Sequence, residues 1–241
     1  MNAERLGLRP ALLRFLQEMH RAPRLRGLRL AFAGWHFYVD AVSIVHDHIW
    51  DTTSLILRKA IRREVCDGDR VLDMGTGHLG LLAIYCARTH DVRVTAVDVN
   101  PEFIENAQIV AHASDAASIE FRVSNWFSNV DGTFDLIFGN VPYVPTKVGT
   151  ASDHVHTYPE IWDGGNDGLE HARAVLPDVG DHLKPEGRLL LGIDTGYIPR
   201  SATLALVAAS RDLELRRIIK SWVSASEVYV IGHKTHAPPD C

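Results

Sequence analysis

Cysteine is scarce in this chain of 241 residues: Cys66, Cys86 and Cys241 are odd in number and far apart. That pattern offers neither a disulfide framework nor paired thiolates for a metal, so a reducing compartment, the cytoplasm, is expected. Long apolar runs are also missing. Crossing a bilayer takes roughly 20 consecutive apolar residues, and no stretch reaches that, so no membrane association is expected. The N-terminus carries charges without the apolar segment of a signal peptide behind them. An excess of positive charge is absent too: Lys and Arg total 25 against 30 for Asp and Glu, a formal charge of -5. A protein that grips a long nucleic acid ordinarily has a basic surface, so the balance argues against a large RNA or DNA ligand. One local exception is the run Arg5, Arg9, Arg14, Arg21, Arg24, Arg26 and Arg29 near the start. No internal repeat or low-complexity tract is present.

What the chain does have is alternation. Apolar runs ending in turn residues are expected as strands at 70–75, 93–99, 119–124, 134–140, 188–194, 213–219 and 228–233. Helical spacing falls at 52–64, 79–90, 101–113, 170–183 and about 201–210, with Thr52, Thr53 or Ser54 near the first cap and Pro101 in a first turn. The expectation is α/β: a Rossmann-like sheet of seven strands with helices on both faces. The last two strands follow one another without a helix and read as an antiparallel edge hairpin. Residues 51–241 make this domain. Residues 1–50 read as an extension, a small helix over 4–20 and a β-hairpin over 28–45, expected to cover the acceptor site.

The turn after the first strand reads Asp73-Met74-Gly75-Thr76-Gly77-His78-Leu79-Gly80. Gly75 and Gly77 allow a tight turn and a close approach of backbone to ligand. The glycine spacing G-x-G-x-x-G alone does not separate this loop from a dinucleotide site. Asp73 does: a carboxylate there suits an ammonium, such as that of a methionine moiety, and repels a pyrophosphate. Asp98 closes the second strand, where a carboxylate can accept hydrogen bonds from both ribose hydroxyls. S-adenosyl-L-methionine is the cofactor that fits these residues together. Asp73, Gly75, Thr76, Gly77, Asp98, Val99, Asn125, Trp126 and Asn140 are the candidate cofactor-binding residues.

After the fourth strand comes Gly139-Asn140-Val141-Pro142-Tyr143-Val144-Pro145. Methyl transfer needs a nucleophile whose lone pair is aimed at the methyl carbon. An NH₂ group has two hydrogens that serve as handles. The Asn140 side-chain oxygen can take one and the Val141 carbonyl the other, which also favours positive charge developing on the nitrogen. Tyr143 offers a flat face for a planar amide or ring, and Pro142 biases Val141 toward an extended backbone. Asn140, Val141, Pro142 and Tyr143 are the candidate catalytic residues. Phe37, Thr53, His154, His156 and Trp162 are candidates for lining the acceptor pocket, with 146–168 as a covering loop. Of thirteen histidines, the pairs His46/His48 and His154/His156 complete no zinc or iron spacing, so no metal is expected.

From Gly34 to Asp194 the chain resembles the release-factor glutamine methyltransferase group of the class I S-adenosylmethionine-dependent methyltransferases. DMGTG resembles that group's cofactor loop, AVDVNPEFIENAQ its ribose segment, FDLIFGNVPYVP its N-P-P-Y motif and WDGGNDGLEHARAVL its G-G-x-D-G-L segment. The resemblance implies methyl transfer to nitrogen from S-adenosylmethionine. Three departures stand out. Val141 takes the place of a proline, Ser124-Asn125-Trp126 stands where the group has an acid, and Asp51-Thr52-Thr53-Ser54 replaces a Pro-rich, Glu-containing segment. The stretch before the cofactor loop is also short for the group's release-factor-recognising domain. These departures turn the expectation toward a small-molecule amide, amine or ring nitrogen as acceptor. A protein glutamine or an RNA base is the alternative acceptor, and a non-catalytic cofactor-binding protein the alternative class.

Overall fold

The computed structural model describes residues 52–151, 159–222 and 224–234. The helix and hairpin expected over 1–50 lie outside the described residues, as do Phe37, His154 and His156. Elements follow in the order α1 (Thr52–Glu64), β1 (Arg70–Met74), α2 (Leu81–Thr89), β2 (Arg93–Asp98), α3 (Pro101–Ala113), β3 (Glu120–Val123), β4 (Phe134–Gly139), α4 (Thr146–Gly149), a 3₁₀ turn (Pro159–Ile161), α5 (Glu170–His182), β5 (Leu183–Asp194), α6 (Arg200–Ala208), β6 (Leu213–Lys220) and β7 (Ser226–His233). The seven strands form one sheet in the order β3-β2-β1-β4-β5-β7-β6. The pairs from β3 to β5 are parallel. β7 enters antiparallel between β5 and β6, which is the expected edge hairpin.

Alternation along the strands decides the layers, because successive side chains leave a strand on opposite faces. Val71, Leu136, Phe138 and Leu190 point to the face covered by α1 and α2. Leu72, Ile137, Leu189, Leu191 and Ile193 point to the face covered by α5 and α6. Each fully buried Leu or Ile contributes about 1.5–3 kcal/mol, so the helices are clamped by hydrophobic burial on both sides.

β5 begins at Leu183, five residues before the expected start at 188. The stretch Lys184-Pro185-Glu186-Gly187 has turn composition. It nevertheless extends the strand through a register shift between Phe134↔Leu183 and Leu136↔Arg188. The two short elements at 146–149 and 159–161 interrupt what reads in sequence as one long loop.

One glycine sets the height of α1 above the sheet. A Cβ on Gly192 would come within 2.7 Å of both Leu57 Cδ1 and Thr53 Cγ2. Gly192→Ala is therefore expected to push α1 outward at a cost of about 1–3 kcal/mol, the usual range for overpacking. A lower urea midpoint with an unchanged slope would be the readout, and an unchanged midpoint would contradict this packing.

Candidate active site

Strand order reverses between β1 and β4, since the chain moves from β1 to β2 and β3 on one side and to β4 and β5 on the other. Open α/β sheets bind ligands at the carboxyl ends of strands beside such a reversal. Both motifs sit there. Met74 at the end of β1 pairs with Gly139 at the end of β4, which sets the glycine loop and the Asn140 loop side by side. Gly75 and Gly77 have φ of 71° and 66°, a left-handed conformation that glycine adopts at no steric cost. Gly75 and Thr76 both donate their backbone N–H to the Val97 carbonyl at 2.9 Å, so the loop folds back over the end of β2.

Two carboxylates converge at this turn. Asp73 is 1% exposed and accepts from the Thr76 hydroxyl at 2.7 Å. Burial pushes its carboxyl up to about 7, the Thr76 hydrogen bond works in the opposite direction, and the charge of Asp98 raises it further. Asp98 accepts from Gly77 N at 2.9 Å on one oxygen and from Asn100 N at 3.0 Å on the other. Burial raises its carboxyl as well, opposed by those backbone donors. A carboxylate has about four lone-pair sites, so both acids retain accepting capacity. Beyond Asp98, Val99 is 54% exposed, a large apolar side chain at the rim of the site.

Trp126 reaches the same turn from the loop after β3. Its φ of 51° is unusual for a bulky residue. Ser124 holds that backbone: its hydroxyl donates to the Trp126 carbonyl at 2.8 Å and accepts from Asn129 N at 2.9 Å. The Trp126 ring lies against His171 and faces Gly75. Asn125 is exposed beside it.

The loop after β4, residues 140–145, which the sequence marks as the expected acceptor loop, is strapped down by residues 162–168. Val144 N donates to the Trp162 carbonyl at 2.9 Å, Gly164 N to the Val144 carbonyl at 2.8 Å and Thr146 N to the Gly165 carbonyl at 2.9 Å. The Thr146 hydroxyl donates to Asp163 Oδ1 at 2.6 Å. The glycines here have a physical task. A Cβ on Gly164 would lie 2.7 Å from Tyr143 Cα, and one on Gly168 only 2.4 Å from the Tyr143 carbonyl. Trp162 packs its ring against Gly149. The G-G-N-D-G-L stretch thus functions as the seat of the Asn140–Tyr143 loop.

Among the expected residues, Asp73, Gly75, Thr76, Gly77, Asp98, Val99, Asn125 and Trp126 gather at the carboxyl ends of β1, β2 and β3. Asn140, Val141, Pro142 and Tyr143 stand next to them after β4. Asn140 donates from Nδ2 to Ser54 Oγ at 3.1 Å. Tyr143 is almost fully buried, with its hydroxyl 2.8 Å from Thr53 Oγ1, and its ring lies against Tyr197. Thr53 itself has no exposed surface: it lies under the acceptor loop instead of lining an open pocket. Sequence reasoning did not single out Asn100 and Glu160. Asn100 caps α3 by accepting from Glu102 N, binds Asp98, and donates from Nδ2 to Glu160 Oε1 at 3.0 Å. That contact brings the 159–161 turn beside the second acid. Pro101 was legible as a helix start, but nothing local announces a partner for Asn100 that lies 60 residues away. Among the described residues no three His, Cys, Asp or Glu side chains gather as a metal site, and no helix is long and apolar enough to cross a membrane.

A glycine turn after β1, an acid closing β2 and an antiparallel β7 between β5 and β6 define a class I methyltransferase sheet. The comparisons agree: the Methyltransferase small domain matches residues 40–157. Over these residues the chain is similar to methyltransferases. It is similar to the release factor glutamine methyltransferases of Koribacter versatilis (36% identity, 69% of this chain and 59% of that protein) and Xylella fastidiosa (33%, 69% and 64%). The chain spans less than two thirds of the length of these curated relatives. Two solved structures share the fold. They are a ribosomal protein L11 methylase from Lactobacillus delbrueckii subsp. bulgaricus (TM-score 0.59, 21% identity, 76% of this chain and 79% of that chain) and a methyltransferase from Pyrococcus furiosus (TM-score 0.59, 21% identity, 91% and 96%).

Proposed function

We propose that this protein is an N-methyltransferase whose acceptor is the side-chain amide nitrogen of a glutamine in a protein of the release-factor kind. The observation that carries the reading is the amide-holding loop after β4, strapped by its glycine seat beside the cofactor loop. The sequence departures pointed instead to a small-molecule acceptor. That expectation gives way, because the curated relatives are named for the glutamine of a release factor.

The residues present fit the cofactor. Asp73 is a buried carboxylate beside the glycine turn, matched to an ammonium. Asp98 has accepting capacity for two ribose hydroxyls. Val99 and Trp126 offer apolar surface for an adenine, and the Asn125 amide oxygen can accept from its amine. When bound, the cofactor supplies a methyl group on a positively charged sulfur. The chain's own part is orientation. The Asn140 side-chain oxygen and the Val141 carbonyl accept the two N–H bonds of the acceptor amide, which turns its nitrogen toward the methyl. Pro142 and the strap restrain Val141, and Tyr143 walls the site.

Purified bacterial release factor, ribosomes, tRNA and a panel of small amides, each incubated with methyl-labelled S-adenosylmethionine, separate the acceptors. Label is expected on the release factor. Label confined to RNA or to small amides would overturn the reading.

Asp73 gives a pH-dependent prediction. Its pKa in the free fold is raised to about 7, so the stability it contributes is present below the usual carboxylate range and is lost as pH rises through about 7. Asp73→Asn imitates the neutral form. It is expected to raise the melting temperature of the cofactor-free protein at pH 8 and to change it little at pH 4. The same variant loses the rise that S-adenosylhomocysteine produces by binding only the native state. An Asp73→Asn protein still stabilised by S-adenosylhomocysteine would remove Asp73 from the cofactor site.

A further inference from the structure

The first turn of α1 presents three consecutive hydroxyls, each bonded to a residue far away in the sequence. Thr52 Oγ1 lies 2.7 Å from Ser226 Oγ. Thr53 Oγ1 lies 2.8 Å from the Tyr143 hydroxyl and donates to Ser226 Oγ at 3.1 Å. Ser54 Oγ accepts from Asn140 Nδ2 at 3.1 Å. Ser226 in turn donates to Asp194 Oδ2 at 3.2 Å, and Asp194 Oδ1 accepts from Gly196 N at 2.7 Å. Thr53, Ser226 and Asp194 are each no more than 1% exposed.

Counting protons gives this chain a direction. A hydroxyl has one proton and two lone pairs, and an ionised carboxylate only accepts. The Ser226 proton is spent on Asp194, so the Ser226 oxygen accepts from both Thr52 and Thr53. The Thr53 proton is then spent on Ser226, so the Tyr143 phenol must donate to Thr53. Every bond points toward Asp194. In a buried setting such a chain is strengthened by its own polarisation, and removing a member leaves its neighbours desolvated and unmatched. Its far end is Tyr143, and the neighbouring hydroxyl of Ser54 orients Asn140. Both belong to the acceptor loop.

We propose that Thr53, Ser54 and Ser226, anchored on Asp194, are positioning residues that set the acceptor loop for methyl transfer. They fix the rotation of the Tyr143 ring and the amide plane of Asn140, two bearings that orient the incoming nitrogen. This inference rests on the N-methyltransferase reading. It goes further by assigning the mount of that loop to a helix start, to Ser226 on β7 and to a buried acid at the end of β5.

The test compares Thr53→Val, which keeps the shape and removes the hydroxyl, with Thr53→Ser, which keeps the hydroxyl, and with Asp194→Asn. Methyl transfer to purified release factor is measured alongside S-adenosylhomocysteine affinity and the Tyr143 ring resonance, assigned with Tyr143→Phe. Thr53→Val is expected to lose about tenfold or more in kcat with cofactor affinity within about twofold of the native value, because misplacement of a reacting group lowers turnover steeply. Thr53→Ser restores most of the loss. Both Thr53→Val and Asp194→Asn shift the Tyr143 resonance, the second one from the far end of the chain. A Thr53→Val protein with native kcat overturns the proposal. So does one whose cofactor affinity falls in step with turnover, or a Tyr143 resonance that neither variant moves. If the native protein transfers no methyl to any protein, the functional reading fails by itself, and the resonance still decides whether the chain to Asp194 exists.

Discussion

Asn140→Ala is expected to lower kcat for methyl transfer by about 10²–10³-fold, the cost of deleting one preorganised polar partner of a developing charge, roughly 3–4 kcal/mol. The side chain stands at the end of β4, where Gly139 pairs with Met74 of the cofactor-loop strand. Its NH₂ is turned to Ser54, so in the proposed reading the carbonyl oxygen is the end that would take the acceptor N–H. Alanine removes that acceptor and leaves the backbone of the loop in place, since the strap bonds run through Val144, Gly164, Gly165 and Thr146. S-adenosylhomocysteine affinity should therefore fall far less than turnover. Steady-state kinetics together with calorimetry separate the two effects. Retention of native kcat in Asn140→Ala would remove the residue from its assigned role.

Gly168→Ala is expected to damage both the stability of the domain and methyl transfer. Its φ of +79° is left-handed, which costs about 1–2 kcal/mol for any residue with a Cβ. The added atom would also meet the Tyr143 carbonyl at 2.4 Å and Ile198 Cγ1 at 2.9 Å. Backbone cannot step aside as cheaply as a side-chain end, so the sum should reach about 3 kcal/mol or more, with loss of methyl transfer because Tyr143 moves. Gly68→Ala is the internal comparison: its φ is +91° and a Cβ there meets nothing within 4 Å. It should show the conformational cost alone. Equal denaturation midpoints for the two variants would mean that the glycine seat does not bear on Tyr143.

Most of the sheet was legible in the sequence because its signals are local. RVLDM is an apolar run closed by a glycine turn, and Pro101 marks the start of α3 with a preset φ. The cofactor loop and the Asn140 loop were legible for the same reason, since strand ends and turn residues sit next to each other in the chain. The misjudged start of β5 has the opposite cause: Lys184-Pro185-Glu186-Gly187 has turn composition and stays unpaired, and only the distant pairing of Leu183 with Phe134 places it inside the strand. The support of the acceptor loop was illegible. Thr52, Thr53 and Ser54 read as helix-cap residues, and Thr53 as a pocket wall. Their partners Ser226, Tyr143 and Asn140 lie 174, 90 and 86 positions away. A Ser or Thr at a helix start satisfies a local rule whether or not it also holds something distant. The G-G-N-D-G-L stretch was recognisable by resemblance, but its physical task became visible only once Tyr143 lay against Gly164 and Gly168.

The final position of the methyl group is the most direct test. Purified release factor, incubated with this protein and S-adenosylmethionine and then digested, can be read by tandem mass spectrometry. The prediction is a mass increase of one methylene on a single glutamine side chain, located by fragmentation to the amide nitrogen and absent when Asn140→Ala replaces the native protein. A methyl group found on another residue type, or an unmodified release factor beside a labelled RNA or small amide, would contradict it.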